Sequence, residues 1–149
     1  MVQGKWFSPD SDLSVLLPVR MSVFGRGGDN LDASSWNVLV YEDDIPAATG
    51  RIWWEDGAFW IGDLAVLEPY RRRHLGDLVL RLLLFKAQSH AAKEVRLRCP
   101  RDLTGFFDRL GLQPLLSDDR DTVEMMIPGD QIDLDSCKNC PRSSCQNRK

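Results

Sequence analysis

Long apolar runs are missing from this 149-residue chain. The longest candidate, Leu78 to Phe85, is broken by Arg81 and falls well short of the roughly 20 apolar residues that span a bilayer, so no membrane helix is expected. The stretch from Met1 to Asp12 has no basic segment leading into an apolar one, so no secretory signal is visible and a cytoplasmic location is the expectation. Cysteine is absent from the first 98 residues, and in a cytoplasmic chain the late Cys99, Cys137, Cys140 and Cys145 point to thiolate metal ligation or redox chemistry rather than structural disulfides. An excess of positive charge is missing as well: the net charge of -3 argues against a generally basic nucleic-acid surface. No internal repeat and no interdomain linker is apparent, so one domain must carry the function.

What is present is an ordinary globular composition, 43% hydrophobic and 28% charged, with five Trp and six Phe. The charge is distributed unevenly. Residues 1–70 hold 11 acids and 4 bases, residues 71–101 hold 2 acids and 9 bases, and residues 102–149 hold 9 acids and 6 bases. One short segment of +7 therefore lies inside an acidic protein.

Ser8-Pro9-Asp10-Ser11-Asp12 supplies turn and N-cap chemistry ahead of Leu13, Leu16, Leu17, Arg20 and Phe24, which recur at helical spacing, with Pro18 forcing a kink or a late start. Gly25 to Asn30 reads as a mobile loop. Trp36 to Tyr41, Ala47 to Trp54 and Phe59 to Val66 read as an antiparallel meander joined by the turns Glu42-Asp43-Asp44 and Glu55-Asp56-Gly57. A basic loop, Tyr70 to His74, then leads into a helix from Leu75 to Ala92. That helix is apolar nearly all round except where Asp77, Arg81 and Gln88 fall within about 40° of one another. Val95 to Cys99 is a strand, Thr104 to Leu110 a short helix stopped by Gly111, and Thr122 to Ile127 a final strand.

Strand, basic loop, then a helix opening at Leu75-Gly76 is an anion-binding arrangement, because exposed N–H groups and the helix dipole face the ligand and Arg supplies charge-assisted bonds. The same residues carry a resemblance. Ile61-Gly62-Asp63-Leu64-Ala65-Val66, continuing through Leu67-Glu68-Pro69-Tyr70 to Arg71-Arg72-Arg73-His74-Leu75-Gly76, resembles the acetyl-CoA signature of the GNAT (Gcn5-related) N-acetyltransferases, whose closing Arg/Gln-x-x-Gly-x-Gly/Ala falls on Arg71, His74 and Gly76. Gly105-Phe106-Phe107-Asp108-Arg109-Leu110-Gly111-Leu112 is similar to the family's second signature, and Arg20-x-x-Val23-Phe24 with Asp32-Ala33-x-x-Trp36 to the N-terminal helices of one of its branches.

The resemblance implies an α/β (α+β type) single domain over residues 1–130, with a mixed, mostly antiparallel central sheet flanked by helices, followed by a Cys-containing tail over 131–149. It implies acetyl-CoA as co-substrate, with the pyrophosphate on the loop backbone and the pantetheine arm in a gap beside the strand that ends at Val66. The residues implied in cofactor binding are Leu64, Ala65, Val66, Arg71, Arg72, Arg73, His74, Leu75, Gly76, Asp77, Phe106 and Phe107. His74 stands where the family usually has Gly. Phe107 stands where many relatives have the Tyr that protonates the departing thiolate.

Acetyl transfer to an amine needs a proton acceptor and an oxyanion-stabilising backbone. Asp63 is the candidate base, with Glu55 and Asp56 as others; a carboxylate salt-bridged to Arg51 is the competing role for Asp63. Alternation places Asp63 on the face opposite to Gly62 and Leu64. His90 is expected at the helix C-terminus, interacting with the dipole. The acidic turns at Glu42 to Asp44 and at Glu55-Asp56 are candidates for attracting a cationic amine. In the tail, Cys137, Cys140 and Cys145 are candidate ligands for zinc or another thiolate-bound metal, with Cys99 as a fourth if the tail folds back. The leading expectation is an N-acetyltransferase passing acetyl directly to a primary amine in a ternary complex. The alternative is a non-catalytic acyl-CoA-binding or metal/redox-responsive regulatory module. The expected partner is a small-molecule or peptide amine acceptor, with no nucleic acid and no membrane; a homodimer stays open.

Overall fold

The computed structural model describes residues 1–115 and 120–134. Seven strands form one sheet in the order β1-β2-β3-β4-β5-β7-β6: β1 (Val2–Phe7), β2 (Trp36–Glu42), β3 (Ile45–Glu55), β4 (Ala58–Val66), β5 (Glu94–Pro100), β6 (Gln113–Pro114) and β7 (Thr122–Pro128). Every neighbouring pair is antiparallel except β4 and β5. The meander arises where the turn chemistry requires it. Asp43 and Asp44 at φ 51° and 67°, and Asp56 and Gly57 at φ 51° and 80°, take the left-handed conformations whose twist matches that of flanking strands. The sheet is thus mixed and mostly antiparallel, as the resemblance implied. The strands β1 and β6, at its two edges, are additions to the elements that patterning marked.

Helix α1 (Leu17–Phe24) starts late because Pro18 lies in its first turn, where a missing N–H costs nothing, and it stops at Gly25 in the left-handed conformation. It covers one face of the sheet together with Phe7, Leu13, Leu16, Leu39 and Ala65. Helix α2 (Leu75–Ser89) covers the other face, burying Leu75, Val79, Leu80, Leu83, Leu84 and Ala87 against Val38, Ile52, Ile61, Val95 and Leu97. The approach is close at Gly50, where a Cβ would lie 2.7 Å from Val79 and 2.9 Å from Leu83, so only glycine lets helix and sheet meet there. Burial of α2 is less complete than its composition predicts, since Phe85 is 56% exposed.

The polar stripe of α2 has a structural use. Arg81 Nε donates to Asp77 at 2.7 Å, Arg81 Nη1 to the Leu134 carbonyl at 3.2 Å, and Gln88 Nε2 to the Ile132 carbonyl at 2.9 Å. These bonds hold a strap, residues 129–134, along the helix, with Ile132 buried beneath it. The expected boundary at residue 130 falls inside this strap. No helix among the described residues is long and apolar enough to cross a membrane.

Candidate active site

The parallel pairing of β4 with β5 is short: Phe59, Trp60 and Ile61 match Val95, Arg96 and Leu97, and no further pairs follow. Beyond Ile61 the two strands diverge. A bulge lies at the fork, because the register on the β3 side passes from Arg51↔Gly62 to Thr49↔Ala65 with one extra residue on β4. Asp63 takes the left-handed conformation there, at φ 53°. A cleft of about 700 Å³ opens between the separated strands.

The loop after β4 lines one end of this cleft through Tyr70, Arg71, Arg72 and His74, followed by Leu75, Gly76 and Asp77 from the first turn of α2. Arg71 Nε donates to the Val66 carbonyl at 2.9 Å and ties the loop to the strand end. Arg72 and His74 are left-handed at φ 66° and 64°, a conformation that costs a non-glycine residue roughly 1–2 kcal/mol. His74 is also the residue before α2, and its side chain makes no capping bond, so the first-turn N–H groups face the cleft uncapped. Leu64 and Val66 line the β4 wall, and Phe106 and Phe107 from α3 (Thr104–Asp108) stack edge to face at 4.9 Å on the opposite side.

Among the residues implied in cofactor binding, Arg73 and the side chain of Ala65 lie outside the cleft. Arg73 turns to Glu42, with Nη1 2.6 Å from Oε2, and its guanidinium lies over the Tyr70 ring. Ala65 is buried under α1. Patterning missed the wall given by Val23 and Phe24, the β5 end from Leu97 to Pro100, and Arg109. The alternation of Arg96 and Arg98 with Leu97 and Cys99 was the available signal for the β5 wall.

Asp63 is built into an ion cluster. Arg26 donates to both of its oxygens, at 3.0 Å and 2.5 Å; Arg51 Nη2 lies 3.2 Å and Arg20 Nε 3.5 Å from Oδ2. Its side chain therefore reaches the face of Arg51, whose register partner is Gly62, and shares that face with Gly62 instead of opposing it; the left-handed bulge has overridden strand alternation. Arg20 is fully buried and also donates to Asp32 at 2.8 Å and to Asn37 at 2.8 Å, while Arg51 donates to Asp29 at 2.6 Å. Burial pushes the Asp32 carboxyl up, but hydrogen bonds from Arg20 and from the Asp29 amide, with attraction from both arginines, bring it down to about 2. The hydrogen bond from Arg51 likewise holds Asp29 below the usual carboxylate range. The Gly25 to Asn30 loop is thus held by charge pairs, Arg26 to Asp63 and Asp29 to Arg51, whose partners behind the loop are buried.

Neither acidic turn lines the cleft. Asp43 receives the N-terminal ammonium, Glu42 receives Arg73, and Glu55 accepts from the Trp53 indole. His90 follows α2, its backbone N–H closing the last turn and its ring 6.2 Å from Phe59. Cys99 is buried, with Sγ 3.7 Å from the Met125 sulfur, and burial and the nearby Asp102 raise its thiol pKa. Cys137, Cys140 and Cys145 lie outside the described residues, among which no group of three His, Cys, Asp or Glu is placed to hold a metal.

A mostly antiparallel sheet that forks between its one parallel pair, above a basic loop at a helix N-terminus, is the architecture of the acyl-CoA N-acyltransferases. Residues 10–112 match the acetyltransferase (GNAT) family, and the chain belongs to it. Among solved structures, it is similar to ElaA of Escherichia coli, with 23% identity and a TM-score of 0.73 over 85% of this chain and 99% of that one. An acyl-CoA N-acyltransferase from Pseudomonas aeruginosa gives 20% and 0.73 over the same shares, 85% and 99%. The PaiA N-acetyltransferase of Thermoplasma acidophilum, solved with coenzyme A, gives 12% and 0.68 over 86% and 99%. At these identities the likeness is one of fold. The search of curated proteins returned no match.

Proposed function

We propose that this chain is an acetyl-CoA-dependent N-acetyltransferase that passes acetyl directly to a primary amine in a ternary complex. The observation that carries this reading is the fork: a cleft of about 700 Å³ begins where β4 loses its β5 partner and ends on a loop of arginines at an uncapped helix N-terminus. Arg71 and Arg72, with the first-turn N–H groups of α2, hold the pyrophosphate. The unpaired edge of β4 from Leu64 to Val66 offers backbone groups to the pantetheine amides, and Phe106 and Phe107 wall the arm. In the transfer, the amine nitrogen bonds to the acetyl carbon, the C–S bond breaks, the thiolate takes the electron pair, and the surplus amine proton passes to water. The Asp63 oxygens are committed to guanidinium groups, so we assign Asp63 as a positioning residue that fixes the bulge rather than as the base.

Calorimetry with coenzyme A tests the cofactor site. Saturable binding is expected, and Arg71→Ala combined with Arg72→Ala should weaken it at least about tenfold, the worth of one charged hydrogen bond. Absence of binding at micromolar protein would sink the reading. A second reading, a non-catalytic acyl-CoA-binding module, is favoured by Phe107, which is buried and has no hydroxyl to protonate a thiolate; in it the tail thiols Cys137, Cys140 and Cys145, outside the described residues, would serve as ligands for zinc or another thiolate-bound metal. Thiol release across amino acids, polyamines, aminoglycosides and peptide N-termini separates the two, since turnover on any amine excludes the second.

A further inference from the structure

We infer that the acceptor amine carries an anionic group, carboxylate or phosphate, and that Arg98 receives it. This rests on the acetyltransferase reading of the cleft and names the chemistry of its second substrate.

The cleft has two ends. One is the basic loop; the other opens on the α1 face of the sheet, lined by Val23, Phe24, Gly62, Asp63 and Arg98. Alternation along β5 points Leu97 and Cys99 into the core, where both are buried, and leaves Arg96 and Arg98 on the α1 face. Leu97 is the last β5 residue paired with β4, so Arg98 stands on the first step of the fork, across from Gly62.

Of these two arginines, Arg98 is the less committed. Arg96 donates to Glu94 at 2.6 Å and to Glu124 at 2.8 Å, whereas the Arg98 guanidinium reaches Glu124 only at 3.5 Å and makes no hydrogen bond among the described residues. Its side chain is 64% exposed, and its guanidinium lies 4.6 Å from the centre of the Trp60 ring. A guanidinium resting on an indole face keeps its N–H edges free, and that edge pair matches a carboxylate or phosphate bidentately. Carboxylates that would instead attract a cation are already used. Asp63 is held by Arg26, Arg51 and Arg20, and the acidic turns lie outside the cleft. Four arginines, Arg71, Arg72, Arg98 and Arg109, line the cleft against two aspartates, Asp63 and Asp77, and Asp77 is paired with Arg81. With Arg71 and Arg72 matched by the cofactor pyrophosphate, a polyamine at the other end would meet the Arg98 guanidinium and no open carboxylate, while an amine with an anionic far end would be drawn to it.

The test measures acetyl transfer by the full chain to matched amines: glycine against glycinamide, phosphoethanolamine against ethanolamine, and spermidine as the cationic member. Each kcat/KM is corrected to the unprotonated amine. The anionic member of a pair is expected to lead by at least about tenfold, and comparing the two pairs distinguishes carboxylate from phosphate. Arg98→Gln should abolish the lead and Arg98→Glu should turn the preference towards spermidine, both with the wild-type melting temperature and a KM for acetyl-CoA within about twofold of wild type. Equal or better transfer to the neutral or cationic amines overturns this inference alone. So does an anion preference that survives Arg98→Glu, or an acetyl-CoA KM raised tenfold by it, which would place Arg98 on the cofactor instead. Coenzyme A binding with no transfer to any amine overturns the transferase reading and this inference together.

Discussion

Asp63 combines two features that seldom occur together in a strand, a left-handed backbone at φ 53° and a carboxylate clamped by guanidinium groups. Asp tolerates that conformation better than most residues, and the clamp over-determines it, so strain is held at the point where β4 leaves β5. Asn keeps the size and one accepting oxygen but loses the charge. Asp63→Asn is therefore expected to lower kcat about tenfold through a loosened bulge while leaving the shape of the pH–rate profile unchanged; loss of a general base would cost about 10²–10⁴ and erase a limb of that profile. The arginines of the loop were legible from their place between a strand and a helix. The side on which Asp63 lies was not, because period-2 alternation assumes an unbroken ladder and the extra residue on β4 leaves no mark in residue type. Arg73 shows the same limit, since its turn towards Glu42 depends on a strand 31 residues away.

The segment between α1 and β2 owes its order to charge. Asp29 and Asp32 form a capping box on a 3-10 turn and at the same time accept from Arg51 and Arg20, which are buried in the sheet and helix behind them. Both carboxyls titrate lower in the folded chain than the usual 3.8, Asp32 at about 2, so on acidification the unfolded chain binds protons first. The stabilisation is complete above about pH 5 and is lost as pH falls through about 2. Asp32→Asn should cost roughly 1–2 kcal/mol at pH 7 after screening, and should flatten the fall in melting temperature between pH 4 and 2. A variant with the wild-type pH slope would show that the pair contributes nothing. Glycines and an Asp-Asn pair made this segment look mobile, because local composition carries no record of Arg51, 22 residues on from Asp29. Helix α2 was legible because its burial follows its own periodicity, and the central strands because turn residues bound their apolar and β-branched runs, although β2 and β3 are buried without alternation. The edge strand β1 was not, since its first four residues are all exposed and show no alternation.

Across the whole molecule, the +7 segment becomes a division of labour. Acids take up Arg73, Arg81 and Arg96 at 2.6 to 2.8 Å, leaving Arg71, Arg72 and Arg98 along the cleft. One of those structural pairs links the cleft to the chain's last described residues, because Arg81 bonds both Asp77, which lines the cleft, and the Leu134 carbonyl of the strap. Gly129 permits the strap to start: its N–H donates to the Lys93 carbonyl at 2.8 Å, and a Cβ there would lie 1.7 Å from the Ala92 carbonyl oxygen. Ile132 is its most buried side chain, 6% exposed against the core, with Leu134 partly buried beside the same cluster. Truncating it removes packing that the short strap cannot replace, so Ile132→Ala should cost about 2–3 kcal/mol and lower the melting temperature by roughly 4–12 °C. Because the strap positions Arg81, and Arg81 positions Asp77 in the first turn of α2, coenzyme A affinity should fall with it. Gln88→Ala, which removes a strap bond two turns further from the cleft, should destabilise without that loss. Equal affinity in Ile132→Ala and wild type, measured well below both melting temperatures, would show that the strap supports the fold and not the cofactor site.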